Sequence, residues 1–553
     1  MTLGSGNRQD VGCPARFCGP GYIRGGFTPT RYGFIIPDAF AYRNVDMRLR
    51  KDFPNVSRTA LGVTVDLFNG ARGAHAMKRG LAHPVAVLLA TIACAENQGT
   101  GAGANPRQVE AFLDTLQERT FDYFWKLTNP QNGLTPDRWP TPSFSSIAAV
   151  GFALTAYPVG VERGYITRGQ AAERVIATLA FFWNARQGPE PTGITGLQGF
   201  FYHFLDMNSG LRFQETELST IDTTLLLGGV LFCREYFDGD TPDEAVIRAL
   251  ADSIYFRVNW PWAQARPPAV SMGWHPERGF IDADWVGYNE AMLLYILALG
   301  SPTHPTDADG WAAWVTGYPW DQFYGQHYVT FAPLFGHQYS HVWIDFRGIQ
   351  DDYMRGRGID YFENSRRATY AQRAYAIENP MGWRGYGDAV WGLTASDGPA
   401  GVTRDVNGEP RQFRTYWARG VARGDVRDDG TLAPTAAGGS VPFAPEITIS
   451  ALMRMRHTYG DDLFSTYGFL DAFNPSFTFT DVELRHGRVV PKKGWFDTDY
   501  VGIDQGPILL MIENYRSGLV WEVMKRSPYI VAGLCRAGFR GSWLGECRIW
   551  NKE

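Results

Sequence analysis

The 553-residue chain carries no GxGxxG ahead of a helix, no P-loop, no HExxH and no GxSxG. Their absence argues against dinucleotide binding, phosphate cradling, zincin-type proteolysis and the serine-hydrolase elbow. Cysteine is scarce. Cys13, Cys18, Cys94, Cys233, Cys535 and Cys547 form neither a CxxC pair nor a zinc-site spacing. No basic stripe is present, and 52 Lys and Arg stand against 57 Asp and Glu for a net charge of -5, so nucleic acid is not an expected partner. No apolar run is long enough to span a bilayer as a helix. No fixed period repeats along the chain, which disfavours a solenoid. Strand signals are few, with RFQE (212–215) and GFIDAD (279–284) the best candidates.

What is present is an apolar fraction of 44% with 20% charge, enough to bury a large core. With 18 Trp and 26 Tyr the chain is rich in flat amphipathic rings, which suit either aromatic helix packing or contact with sugar faces. Residues 1–76 are Gly- and Arg-rich and lack periodicity, which marks them as an extension of uncertain standing, disordered or not native. From Met77 the run MKRGLAHPVAVLLATIACAENQ has the order of a secretory leader, with Lys78 and Arg79, a short apolar stretch and small residues around Cys94. The expected domains are therefore a signal peptide over 77–95, a linker over 96–106, a catalytic domain over 107–530 and a tail over 531–553. Cys94 offers a site for lipid attachment. A periplasmic or secreted, monomeric protein without a transmembrane segment is expected. Cys233 sits in an apolar helical run and reads as buried, and Cys535 and Cys547 could pair in an oxidising compartment.

From 109 onward helical periodicity dominates, in segments such as VEAFLDTLQERTFDYFWKL, TRGQAAERVIATLAFFWNAR, IDTTLLLGGVLFCREYF and DEAVIRALADSIYFRV. Ten or more helices joined by long, mutually unlike loops predict a closed double ring of helices with a site built from loops at one end. Those loops concentrate acids beside aromatics. Asp137, Arg138 and Trp139 fall in NGLTPDRWP. Glu217 and Asp222 crowd a helix entrance in RFQETELSTIDTTLLLGG, where Ser219 or Thr220 can cap and the helix dipole favours Asp222 as an anion. Glu290 opens an apolar helix after Trp285, Tyr288 and Asn289. His337, His341, Trp343 and Asp345 alternate with apolar residues in FGHQYSHVWIDFRG, where a zinc site lacks a third certain ligand and sugar hydrogen bonding is the better reading. Tyr386, Asp388 and Trp391 lie in RGYGDAVWGLTASDGP, and Asp504 precedes an apolar helix in which Glu513 and Arg516 can pair.

In these segments, and in SSIAAVGFALTAYPVGVERGYITR, APEITISAL and DQGPILLMIENYRSGLVW, the chain resembles the bacterial glycoamylase-like family, which includes the endo-β-1,2-glucanases of glycoside hydrolase family 144. It is also similar to the transglycosylase part of cyclic β-1,2-glucan synthases. The resemblance spans about 109–530. It implies an all-α (α/α)6 barrel with few short strands, no cofactor, no metal and a β-glucan partner. Essential acids are implied near Glu217 and Glu290, and the loop of Asp504 lines the cleft, so the expected catalytic set is Glu290 or Glu217 as the acid and Glu217 or Asp504 as the base or nucleophile. Glycoside cleavage needs one carboxyl to protonate the leaving oxygen and a second to activate water or attack. The loop reading adds a candidate binding set of Asp137, Arg138, Trp139, Asp222, Trp285, Tyr288, Asn289, His337, His341, Trp343, Asp345, Tyr386, Asp388 and Trp391. A retaining transglycosylase, an exo-acting hydrolase and a non-catalytic periplasmic glycan-binding protein remain alternatives.

Overall fold

A computed structural model describes residues 105–545 and 547, with four short strands between 29 and 67. Those strands pair antiparallel, Pro29–Thr30 with Gly33–Phe34 and Met47–Asp52 with Gly62–Leu67, in a unit of their own. The expected signal peptide, Cys94 and the linker up to 104 lie outside the described residues, as do Glu546 and 548–553.

The rest is rich in helix. Segments that are apolar all round become helices buried all round. Ile147–Glu162, Thr220–Tyr236 and Met292–Gly300 are of this kind. Pro106–Leu127, Arg168–Asn184 and Pro242–Phe256 are amphipathic, burying one stripe each, such as Phe112, Leu113, Leu116, Phe121 and Phe124 on the first. The two kinds alternate along the chain. Local chemistry sets the starts. Ser146 Oγ accepts from Ala149 N, Ser219 Oγ from Asp222 N, and Thr167 with Gln170 forms a reciprocal capping box.

The buried helices touch in a circuit. Ile147–Glu162 packs on Thr220–Tyr236, which packs on Met292–Gly300. Ser340 Oγ accepts from Leu293 N and donates to the Glu290 carbonyl, tying in the short helix Tyr339–Trp343. Gln338 Nε2 donates to the Ala436 carbonyl of Pro434–Gly438. That helix packs on Gly502–Arg516, which returns to Ile147–Glu162. The first two helices come very close. A Cβ on Gly229 would stand 2.1 Å from the Gly151 carbonyl oxygen, and one on Gly151 would stand 2.2 Å from that of Leu225.

Strands are short and serve the loops. A five-stranded antiparallel sheet runs Gly279–Phe280, Gly273–His275, Leu218–Ser219, Phe200–Tyr202, Gly196–Leu197. Of the two expected strands, only Gly279–Phe280 within 279–284 forms. RFQE does not, because the chain turns there with Gln214 at φ 49°. The expected boundary at 530 falls inside a helix, Pro528–Arg536, which packs on Met292–Gly300. Beyond it Phe539 is buried against Trp311, Phe346 and Tyr361, Arg540 and Gln350 exchange two backbone hydrogen bonds of 2.9 Å, and Cys535 is disulfide-bonded to Cys547. The segment to 545 is thus part of the helical unit rather than a tail. Cys233 is free and buried. Glu513 does not pair with Arg516. It holds Arg163 at 2.8 Å, while Arg516 reaches Glu110 and Asp114 on the Pro106 helix.

Candidate active site

The sheet places the first pair of groups. Leu218 lies opposite Tyr202 and Ser219 opposite Phe201, so the same antiparallel register sets Glu217 opposite His203. His203 N donates to the Glu217 carbonyl at 3.0 Å, and the side chains meet across the strands, Nδ1 to Oε1 at 2.8 Å. One residue past the strand the chain turns into a helix capped by Ser219. Asp222, in its first turn, comes to 3.4 Å from His203 Nε2 and accepts from Ser219 Oγ at 2.5 Å. The imidazole is therefore flanked by a carboxylate on each ring nitrogen.

His203 and Asp222 line a cavity of about 410 Å³ together with Asp137, Arg138 and Glu290. Phe144, Phe204, Phe335, Tyr339 and Tyr416 supply apolar wall, and Tyr416 is 52% exposed. The acids differ in charge state. Burial pushes the Glu290 carboxyl up to about 7, with Asp222 adding to the rise. Burial also raises Glu217, but hydrogen bonding and attraction from His203 outweigh it and leave the carboxyl below its ordinary value. Burial disfavours the charged form of His203, yet Asp222 and Glu217 prevail and bring it to about 9. Asp222 is raised by burial, against the pull of His203.

Arg138 anchors a second group behind this wall. Its Nη1 lies 2.6 Å from Asp397 and 3.5 Å from Asp499, and its Nε 3.4 Å from Asp137. Ligand atoms of Asp397, His486 and Asp499, and those of Asp397, Asp471 and Asp497, lie within 4.8 Å of one another, near enough to hold a cation. Arg138 already supplies positive charge to the first group. In the second, Asp397 N donates to Asp471 Oδ2 at 2.7 Å, and burial with repulsion from Asp397 raises Asp471 to about 7. Asp504 is buried in the first turn of Gly502–Arg516, where burial and Asp471 hold its carboxyl well above the usual range. Its neighbours Val501 and Ile503, not Asp504 itself, line the cavity.

Several expected sugar contacts are instead core residues. Trp285 is buried and donates to Thr220 Oγ1 at 3.0 Å. Tyr288 packs among Trp314, Tyr318, His337 and Tyr361. Asn289 does not cap a helix through its own position. Its Oδ1 accepts from Ala291 N and Trp314 Nε1, and the helix begins at Met292, so Glu290 precedes it rather than opening it. His337 and His341 are both buried and make separate hydrogen bonds. One meets the Phe331 carbonyl and the other Ser365 Oγ, and burial lowers them to about 4 and about 3. Trp343 stacks on Phe152 and donates to Thr155 Oγ1. Asp345 is locked by Arg347 and Lys525. Tyr386 donates to Asp428 at 2.7 Å, Asp388 is exposed with its carbonyl held by Arg373, and Trp391 is fully buried. Trp139 is 42% exposed beside Arg138. Cavity residues that sequence reading passed over are His203, Tyr339 and Tyr416. The missed signal was FFYHFL, a short apolar strand whose end falls opposite Glu217 only once the register is known.

Comparison with known proteins agrees with this architecture. A family model described as putative glucoamylase matches residues 282–528. A putative glucoamylase structure from Bacteroides uniformis is 30% identical, covers 81% of this chain and 100% of its own, and superposes with a TM-score of 0.67. The endo-β-1,2-glucanase of Chitinophaga pinensis, solved with sophorotriose and glucose, is 28% identical over 79% of this chain and 99% of its own, with a TM-score of 0.64. The exo-β-1,2-glucooligosaccharide sophorohydrolase of Parabacteroides distasonis is 28% identical over 473 residues, 79% of this chain. The present chain spans 59% of that relative's length. By sequence and by structure, the chain belongs to the glycoamylase-like family.

Proposed function

We propose that the protein is a glycoside hydrolase that cleaves β-1,2-glucan or sophoro-oligosaccharides at the cavity bearing Glu290 and Asp222, at one end of an (α/α)6 barrel. The circuit of buried helices supports the barrel as its inner ring, with the amphipathic helices outside. The observation that carries the chemistry is the divergence of two carboxyls, Glu290 in the cavity wall and Glu217 held by His203, which lines the same cavity. Glu290 is raised to about 7 and so holds a proton near neutrality, whereas Glu217 is depressed and ionised. Groups pushed apart in this way suit an acid and an anionic partner. Glu290 protonates the leaving glycosidic oxygen. The ionised carboxylate of Glu217 activates water or attacks the anomeric carbon. Arg138 and Asp137 hold sugar hydroxyls, and Tyr416 offers an exposed ring to a sugar face. The substrate reading draws on relatives named for β-1,2-linked substrates. A periplasmic or secreted location is in keeping with the leader-like sequence from Met77 and with the Cys535–Cys547 disulfide.

The test is incubation with linear β-1,2-glucan, laminarin, cellulose and starch in parallel, with products read by chromatography. Sophoro-oligosaccharides from the first polymer alone are expected. A ladder of lengths marks endo cleavage, and sophorose alone marks exo cleavage. Activity on another polymer with none on β-1,2-glucan overturns the substrate. Silence on all four favours the transglycosylase or binding alternative.

A further inference from the structure

We infer that His203 is a positioning residue, an imidazolium held between Glu217 and Asp222 that keeps the Glu217 carboxylate ionised. The inference rests on the proposed hydrolytic role of the cavity and adds to it a device for setting which carboxyl keeps its proton.

The case begins with the backbone. Strand register alone puts His203 across from Glu217, and the Ser219 cap alone puts Asp222 on the far side of the ring. Neither placement depends on the other. The outcome is a ring whose Nδ1 is 2.8 Å from Glu217 Oε1 and whose Nε2 is 3.4 Å from Asp222 Oδ1. A neutral imidazole has one N–H donor. With a carboxylate at each nitrogen, the form that satisfies both carries two, and that form is the cation. The ring is also held in plane, stacked on Phe204 at 3.8 Å between centroids. The charged groups that bear on it most are Glu217, Asp222 and Asp137, all acids, while Arg138 lines the same cavity paired to Asp137, so the surroundings favour the cation. His275 adds a weaker pull on Glu217, and Asp222 bears on Glu290. With His203 neutral or absent, Glu217 and Asp222 would face each other uncompensated at a cavity that also holds Glu290. Like charges gathered in this way raise one another's proton affinity. Glu217 would then keep its proton to higher pH.

The proposal has a test that needs no substrate. In the intact protein labelled on histidine, the imidazole resonance missing from His203→Gln identifies His203, and its titration is followed from pH 5 to 10. A midpoint near 9 is expected, falling by more than one pH unit in Glu217→Gln. A wild-type midpoint at or below 6.5 overturns the inference. The second readout is the pH profile of kcat/KM on the glucan that the substrate panel identifies. In His203→Gln the acidic limb, set by ionisation of Glu217, should move up by at least one unit, narrowing the active range while KM changes less than kcat. A uniform fall at every pH with an unmoved limb marks a merely structural role and overturns it. If the wild type cleaves no glucan, the hydrolase reading fails by itself, and the titration still decides the charge of His203.

Discussion

At the scale of single residues the account makes Glu290 the decisive group. Removing a general acid costs on the order of 10²–10⁴-fold in rate, so Glu290→Gln should lose kcat by that much with KM little changed. The same substitution should stabilise the fold. A carboxyl raised from 4.5 to about 7 in the folded state is protonated in both states at low pH and costs nothing there. As pH rises from about 4.5 through 7, the folded state must give up a proton it prefers to hold, and stability falls. At pH 8 the glutamine variant should therefore be more stable by roughly 1–3 kcal/mol, with no gain at pH 4. Thermal unfolding at the two pH values measures this. An equal gain at both would contradict the burial argument. Aromatic residues separate in the same way. Trp343→Ala should unfold the protein more easily, by roughly 3–5 kcal/mol, because its ring fills core against Phe152. Tyr416→Ala should leave stability nearly intact and raise KM, because that ring is exposed at the cavity mouth. The opposite pattern in denaturant melts and kinetics would return Trp343 to the site. Of the acids singled out in the sequence, Asp137, Asp222 and Glu290 line one cavity, and Glu217 meets its wall residue His203. Residue-level reading of the sequence misassigned Trp285, Tyr288, Trp343 and Trp391, because an aromatic next to an acid in sequence can point to either side of the chain.

At the scale of elements, helices were legible and strands, Gly279–Phe280 apart, were not. Ile147–Glu162 and Met292–Gly300 read correctly because an uninterrupted apolar run of that length has few other uses. Strands of two or three residues, such as Leu218–Ser219, carry no period to detect, yet they set the register that brings His203 to Glu217. Helix spacing was likewise hidden. Gly151 and Gly229 look like ordinary glycines in sequence, but they allow two helices to touch backbone to backbone. Gly229→Ala should cost about 1–3 kcal/mol through forced separation. Gly356→Ala, where an added methyl meets nothing within 4 Å, should be neutral or stabilise by about 0.4–1 kcal/mol. Urea midpoints of the two variants make the comparison, and equal effects would argue against close contact between the Ile147 and Thr220 helices.

At the scale of the whole molecule, the C-terminal region carries more than its sequence suggested. Cys535–Cys547 closes a short loop with a sequence separation of 12 beside the helix that packs on Met292–Gly300. A cross-link of this span stabilises by about 2–3 kcal/mol. Reduction, or Cys535→Ser with Cys547→Ser, should lower the unfolding temperature by a few degrees without altering the cavity. An unchanged melting curve after full reduction would remove the bond from the account. Sequence suggested the pairing only as an option, because the two cysteines lie among residues whose burial depends on Trp311, Phe346 and Tyr361 far away in the chain. The long series of helices was legible in the sequence, and with it the helix-rich class; their alternation between fully buried and amphipathic emerges only in the structure.

The most direct measurement is a time course of linear β-1,2-glucan with the wild type and with Glu290→Gln at matched concentration near neutral pH. The account predicts sophoro-oligosaccharides from the wild type and at least a hundredfold slower release from the variant, which is folded and no less stable than the wild type. Equal rates from the two proteins would contradict the assignment of Glu290, and with it the placement of the active site in this cavity.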